Sequence, residues 1–220
     1  MHYYITGHTG FKGAWLTQIL VSQGHSVSGQ SLDPIDGSLF DLAHLGELVE
    51  FDHRIDIRDA QATQTAMTQA QPDIVIHLAA QPLVRASYED PKETFSTNVM
   101  GTMNVLDAVT GTNSVKASLI ITTDKVYKNV NQLAGYREDD PLGGDDPYSA
   151  SKAMADILTQ SWVKSFDSPP TAIARAGNVI GGGDISRDRL IPDLISAFES
   201  EKPALIRYPD AVRPWQHVLD

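Results

Sequence analysis

The sequence predicts an α/β fold, a doubly wound parallel sheet of the Rossmann kind, with the beginning of a smaller C-terminal substrate domain. Three observations predict it. Short apolar segments alternate with amphipathic helical ones as far as residue 176. Inner segments such as DIVIHL at 73–78 are apolar without alternation, as strands covered on both faces are. A glycine-rich turn joins the first apolar segment to the first helix, where such sheets bind phosphate groups. Residues 1–176 are read as the dinucleotide-binding domain and 177–220 as the start of the second.

Taken in order, Tyr3, Tyr4 and Ile5 form the first strand and stop at TGHTGFKG, after which Phe11, Trp15, Ile19 and Leu20 recur at helical spacing. Strands follow at 26–31 and 51–57, a helix over 59–71 and a strand over 73–78. A long helix around 94–109, the strand ASLIIT, a helix beginning near Tyr148 and the strand TAIARA complete the alternation. Asn98 is a poor helix former inside the long helix, which points either to a kink or to a side-chain hydrogen bond supporting a site. Glycine and proline cluster at 142–147 and at 181–183, in positions suited to binding loops. Beyond residue 176, Pro192, Pro203, Pro209 and Pro214 cut the chain into short apolar pieces, the mark of a second lobe.

Composition narrows the function. The 220 residues carry 17 Lys plus Arg against 28 Asp plus Glu, a formal charge of −11, which disfavours broad adhesion to nucleic acid or anionic membrane. Any anionic ligand must be held locally. Without cysteine there are no disulfides, thiolate nucleophiles or cysteine zinc sites, and redox chemistry requires a cofactor. No apolar run approaches membrane-helix length and no basic leader opens the chain, so a soluble, cytoplasmic protein is expected. The seven histidines show no paired metal-ligand spacing, and His77 reads as a satisfied core or strand-end residue. His217 reads either way.

Gly7, Gly10 and Gly13 are spaced so that backbone amides at the helix start can approach a pyrophosphate. Lys12 stands at the wrong offset for a nucleoside triphosphate loop, and no Ser or Thr follows it. The acid expected about 20 positions on for an adenosine ribose has no clear counterpart. The strand ends Gln30, Ser31, Leu32 with Asp33 late, and no arginine stands there for a 2′-phosphate, which favours NAD over NADP. Tyr148 and Lys152 share one face of a helix start, where a cationic amine lowers the pKa of a phenol and makes it a usable base. Thr122, Thr123, Asp124 and Lys125 end the strand ASLII at the sheet edge where catalysis on this fold occurs. Arg85, Arg189 and Arg213 suit bidentate phosphate binding or a solvated surface.

With the glycine turn and the Tyr148/Lys152 pair in place, the chain resembles the extended short-chain dehydrogenase/reductase family, which acts on nucleotide sugars. The blocks TGHTGFKGAWL, HLAAQPLVRASYEDPKETFSTNVMGTMNVLDA, TTDKVY, YREDDPLGGDDPYSASKA, ARAGNVIGGGD, DRLIPDLI and RPWQHVLD are similar to those of its CDP-glucose 4,6-dehydratases. Asp124-Lys125 stands where dTDP-glucose enzymes carry Asp-Glu, while Val126 and Lys128 depart from the usual Cys and Glu. The resemblance implies an NAD cofactor bound by Gly7, Gly10, Phe11, Gly13, Asp56, Ile57, Ala79, Ala80, Asn98, Tyr148 and Lys152. It implies catalysis by Thr123, Asp124, Lys125, Tyr148 and Lys152, with the nucleotide sugar held by Thr123, Asn178, Arg189 and Arg213 and no metal. It also implies a homo-oligomer, dimer or tetramer, paired through the helices near 98–109 and 148–163. Family members run past RPWQHVLD, so a C-terminally truncated chain is expected, one that binds NAD and turns over poorly. A nucleotide-sugar epimerase or reductase, and a non-catalytic NAD-binding fragment, are the alternatives.

Overall fold

The computed structural model describes residues 1–206 and 208–220. Six strands form one parallel sheet: β1 (His2–Thr6), β2 (Ser26–Ser31), β3 (Phe51–Arg54), β4 (Ile74–His77), β5 (Ala117–Thr123) and β6 (Thr171–Ala176). They lie in the order β3-β2-β1-β4-β5-β6, so the order reverses between β1 and β4. A reversal of this kind opens a crevice at the carboxyl ends of the strands. Both faces of the sheet are covered. Tyr4 packs with Met67, Val75, Val105 and Val109, and thus against α3 (Ala60–Ala70) and α6 (Thr102–Thr110). Its neighbour Ile5 points the other way, to Leu20 of α1 (Phe11–Ser22) and to Val27. That is why the strand is apolar without alternation.

The element boundaries have local causes. The third strand ends at Arg54 rather than 57, and Asp59 caps α3 by accepting the Ala62 amide at 2.9 Å. The expected long helix is three pieces: α5 (Pro91–Phe95), a π-turn (Ser96–Gly101) and α6. Both readings of Asn98 hold, since the backbone widens there and the side chain bonds across to Gln81. Gly101 ends the turn against Ile57, whose Cδ1 would lie 2.5 Å from an added Cβ. The short helices α2 (Leu39–Leu42) and α4 (Val84–Glu89) complete the connections. The glycine-proline loop at 142–147 leads into α7 (Pro147–Ser165), where Asp146 accepts the Ser149 amide at 2.9 Å and Pro147 opens the helix.

Beyond β6 the character changes. A two-stranded parallel sheet of β7 (Asn178–Ile180) and β8 (Trp215–His217) flanks α8 (Leu190–Glu199), which has no buried residue. Trp15 of α1 ties this region down by donating to the Gly182 carbonyl at 2.8 Å. Among the described residues no helix is long and apolar enough to cross a membrane, and no cluster of His, Asp or Glu is disposed to hold a metal ion.

Candidate functional site

The first wall of the site is backbone. Gly7 adopts φ +77°, a conformation disfavoured for side-chain-bearing residues, and an added Cβ would come within 2.7 Å of the Ala79 amide nitrogen. Gly13 is buried, and its added Cβ would overlap the Gly7 carbonyl oxygen. The chain therefore folds back tightly between β1 and α1. Gly10 caps α1 without any side-chain bond, and no acidic residue stands in the first turn, so the helix dipole faces the crevice uncompensated. Such a cradle fits the diphosphate of a dinucleotide. Phe11 opens the helix, while Ala79 and Ala80 follow β4 on the opposite lip.

Behind the cradle a polar network holds that lip. Asn98, 1 % exposed, accepts the Gln81 amide at 2.8 Å and donates to the Gln81 carbonyl at 3.0 Å and the Ser151 hydroxyl at 2.9 Å. Ser151 in turn donates to the Tyr148 carbonyl at 2.7 Å. Asn98 thus braces the 79–81 backbone from behind. His77 is a satisfied core residue as the sequence suggests, bonded through both ring nitrogens to Thr6 and Thr102. Asp56 pairs with Arg58 at the end of β3, and Ile57 is buried in the core beside Tyr4.

Tyr148 and Lys152 stand one turn apart on α7. Lys152 is 5 % exposed, and its ammonium donates to the Ile121 carbonyl at 2.8 Å. Burial, reinforced by the charge of Lys12, brings its pKa down to about 7, with Asp156 pulling the other way. Burial also raises the Tyr148 phenol, while its hydrogen bond with Thr123 and the charge of Arg189 oppose that rise. Lys12 is itself lowered by burial and by Arg189. Three cations therefore converge on the cradle.

On the far side, Thr123 ends β5 and donates to Asp124 at 3.0 Å. Lys125 Nζ lies 3.3 Å from the Asp124 carboxylate and 3.3 Å from the Asn178 amide oxygen. The cavity between the walls measures about 670 Å³ and is lined by Lys12, Thr123, Lys125, Tyr148, Lys152 and Asn178, with Arg189 and Arg213 also reaching it. It joins a wider cleft of about 1570 Å³ at Lys125 and Arg213. A buried ion pair braces the two walls: Arg175 of β6 holds Asp156 of α7 through bonds of 2.9 and 3.0 Å and donates to Tyr127 at 3.0 Å.

Sequence reasoning missed three participants. Lys12 stands at the wrong offset for a triphosphate loop, yet a lysine inside a glycine turn is itself an anion-facing signal. The Asp156–Arg175 pair spans 19 residues and carries no local pattern. The third is Arg54, which stands beside the end of β2. Arg54 reaches across from β3 to the Leu32 carbonyl at 3.2 Å and comes within 4.0 Å of Asp33, while it also pairs with Asp52. Adjacent parallel strands bring residues so distant in sequence together, which a reading confined to the end of β2 could not see.

A profile described as the NAD dependent epimerase/dehydratase family matches residues 3–220. A protein of Salmonella typhimurium named CDP-glucose 4,6-dehydratase is 48% identical over 99% of the chain, and the chain spans 63% of that relative's length. The solved UDP-glucuronic acid 4-epimerase of Bacillus cereus, in complex with UDP-glucuronic acid and NAD, superposes with a TM-score of 0.85 at 25% identity, covering 99% of this chain and 69% of that one. A dTDP-glucose 4,6-dehydratase of Streptomyces venezuelae, also solved with NAD, gives a TM-score of 0.88 at 24% identity over 100% and 69% of the two chains, a likeness of fold. The glycine cradle, the Tyr148/Lys152 helix and a profile match running almost from end to end agree: the chain belongs to the NAD dependent epimerase/dehydratase family.

Proposed function

We propose that this chain takes part in the NAD-dependent dehydration of CDP-glucose to CDP-4-keto-6-deoxyglucose, the reaction of a hydro-lyase. The observation that carries the reading is the Asp124–Lys125 pair, 3.3 Å apart beside Thr123 and Tyr148. An epimerase needs a base at one hydroxyl, whereas a dehydratase also needs an acid and a base at neighbouring carbons. The 48% identity with a protein of that name supports the choice of CDP-glucose.

NAD, when bound, would supply a reversible hydride acceptor for the sugar. Gly7, Gly10 and Gly13 admit its diphosphate to the start of α1, Phe11, Ala79 and Ala80 line the lips, and Asp56, Ile57 and Asn98 support the adenine side and the 79–81 wall. Tyr148 Oη removes the proton of the sugar 4-hydroxyl, with Thr123 and the charge of Arg189 favouring the phenolate against burial, and Lys152 Nζ, one turn away, binds the ribose. The ketone at C4 acidifies C5. Lys125 Nζ then takes the C5 proton while Asp124 gives a proton to the departing 6-hydroxyl, and Thr123 holds the sugar. The step balances when Asp124 holds a proton and Lys125 is neutral at its start: after water leaves, Lys125 holds the proton from C5 and Asp124 is a carboxylate. Asn178, Arg189 and Arg213 face the nucleotide diphosphate.

A second copy of the chain pairs on the outer face of the π-turn and α7, where Met100, Met154 and Ile157 are exposed. A small dinucleotide and a nucleotide sugar as reactants fit a cytoplasmic setting, as does a chain without cysteine. The test is to incubate the protein with NAD and a panel of nucleotide glucoses and follow the sugar by mass spectrometry. Loss of one water with CDP-glucose is expected. A product of unchanged formula would replace the reading with epimerisation.

A further inference from the structure

We infer that His77 is a positioning residue for the dinucleotide: it closes a ring of hydrogen bonds through which Asn98 holds both ends of the 79–81 lip. The inference rests on the reading of this cavity as an NAD site. His77 ends β4 and stands beside Thr6, its register partner at the end of β1. One ring nitrogen, Nδ1, lies 2.6 Å from the Thr6 hydroxyl and the other, Nε2, 3.0 Å from the hydroxyl of Thr102. All three side chains are at most 1 % exposed, so no water stands in for a missing bond.

The direction of each bond follows from what each group can do. A backbone carbonyl only accepts, so the single proton of Thr102 goes to the Asn98 carbonyl at 2.7 Å. Toward His77, Thr102 must therefore accept, and Nε2 carries the hydrogen. Burial and the charge of Lys152 bring the imidazole pKa down to about 3, so the ring is neutral and Nδ1 is a bare acceptor. Thr6 donates to it and has a lone pair left for the Ala79 amide at 3.3 Å. The chain thus runs one way, from the Ala79 amide through Thr6, His77 and Thr102 to the Asn98 carbonyl. Bonds aligned in this sense polarise one another and strengthen.

The same Asn98 takes the other end of the lip. Its side chain accepts the Gln81 amide and donates to the Gln81 carbonyl, the two-point bond a neighbouring strand would make. Ala79 is fixed through the relay and Gln81 directly, both to one residue of the π-turn. The Ala79 amide is the group that an added Cβ on Gly7 would strike, so the lip held by this ring is the one that abuts the glycine cradle. A π-turn costs hydrogen-bond geometry within a helix, and here it brings both the carbonyl and the amide of Asn98 to bear on one loop.

The test uses the unaltered 220-residue chain and NADH fluorescence titration, with Thr6→Val, Thr102→Val and the double variant, each keeping side-chain shape while deleting a link. Loss of one buried hydrogen bond corresponds to roughly a fivefold weaker dissociation constant. Because one break opens the whole relay, the double variant should be weakened by roughly the same factor as either single one. In a His77→Phe background neither valine should weaken binding further, and should that background fail to fold, the valine cycle alone decides. Losses that multiply, or melting temperatures that fall while the dissociation constant stays fixed, would overturn the positioning role and leave the cofactor reading intact. Failure of the unaltered chain to bind NADH would overturn that reading, and this inference with it.

Discussion

The two walls of the cavity are built by different means. On the dinucleotide side Gly13, His77, Asn98 and Lys152 are buried, and contact is made by backbone atoms that cannot rotate away. On the wall we propose faces the sugar, Asp124 and Lys125 keep 28% and 31% of their side chains exposed and bond mainly to each other and to Asn178. In the proposed function, one wall therefore governs what fits and the other what reacts. Substitutions on the first should move folding stability and dinucleotide affinity together. Those on the second should move turnover alone.

The largest effect belongs to the residue that faces both walls. Tyr148→Phe removes the proton acceptor while keeping the ring, and formation of the 4-keto sugar should fall by about 10²- to 10⁴-fold. Full production by the variant in a mass-spectrometric assay would remove Tyr148 as the base. Next comes Gly13→Ala, where the new methyl meets the Gly7 carbonyl and neither backbone can yield. We expect about 3 kcal/mol lost in urea denaturation, and NADH binding lost with it. A variant that is stable and still binds would break the claim that this wall is rigid backbone.

Lys125→Met sharpens the contrast from the other side. The lysine is partly exposed and its partner Asp124 can turn to water, so stability should change by no more than about 0.5 kcal/mol. NADH affinity should also hold, while solvent exchange of the C5 proton and the loss of water slow by about 10²-fold. Destabilisation comparable to that of Gly13→Ala would erase the distinction between the walls.

What the sequence disclosed follows the same division. The glycine turn and the Tyr148/Lys152 spacing were legible because each lies within one turn of chain and obeys local geometry. The strand TAIARA is read to the residue. Of the π-turn only a kink at Asn98 was legible; its contacts, of Asn98 with Gln81 and of Gly101 with Ile57, join residues distant in sequence. Arg54 escaped for a like reason: it meets Leu32 only after β2 and β3 pair. The burial of Lys12 and its nearness to the charge of Arg189, 177 residues on, are announced by no periodicity.

The smallest expected effect tests the dinucleotide wall by pH. Lys152 lies at about 7 against the ordinary 10.5, through burial first and Lys12 second. Below about pH 7 the folded chain therefore carries the whole cost of a buried ammonium. Between about 7 and 10.5 the unfolded chain binds the extra proton, so stability must rise with pH across that window. At about 1.4 kcal/mol per pH unit, the gain from pH 7 to 8.5 is on the order of 2 kcal/mol before other groups intervene. Lys152→Met removes that slope, so urea denaturation of the two proteins without dinucleotide should show the variant ahead at neutral pH and the gap closing as pH rises. Parallel curves would mean that water or a carboxylate reaches the amine, and the dinucleotide wall would then be no drier than the sugar wall.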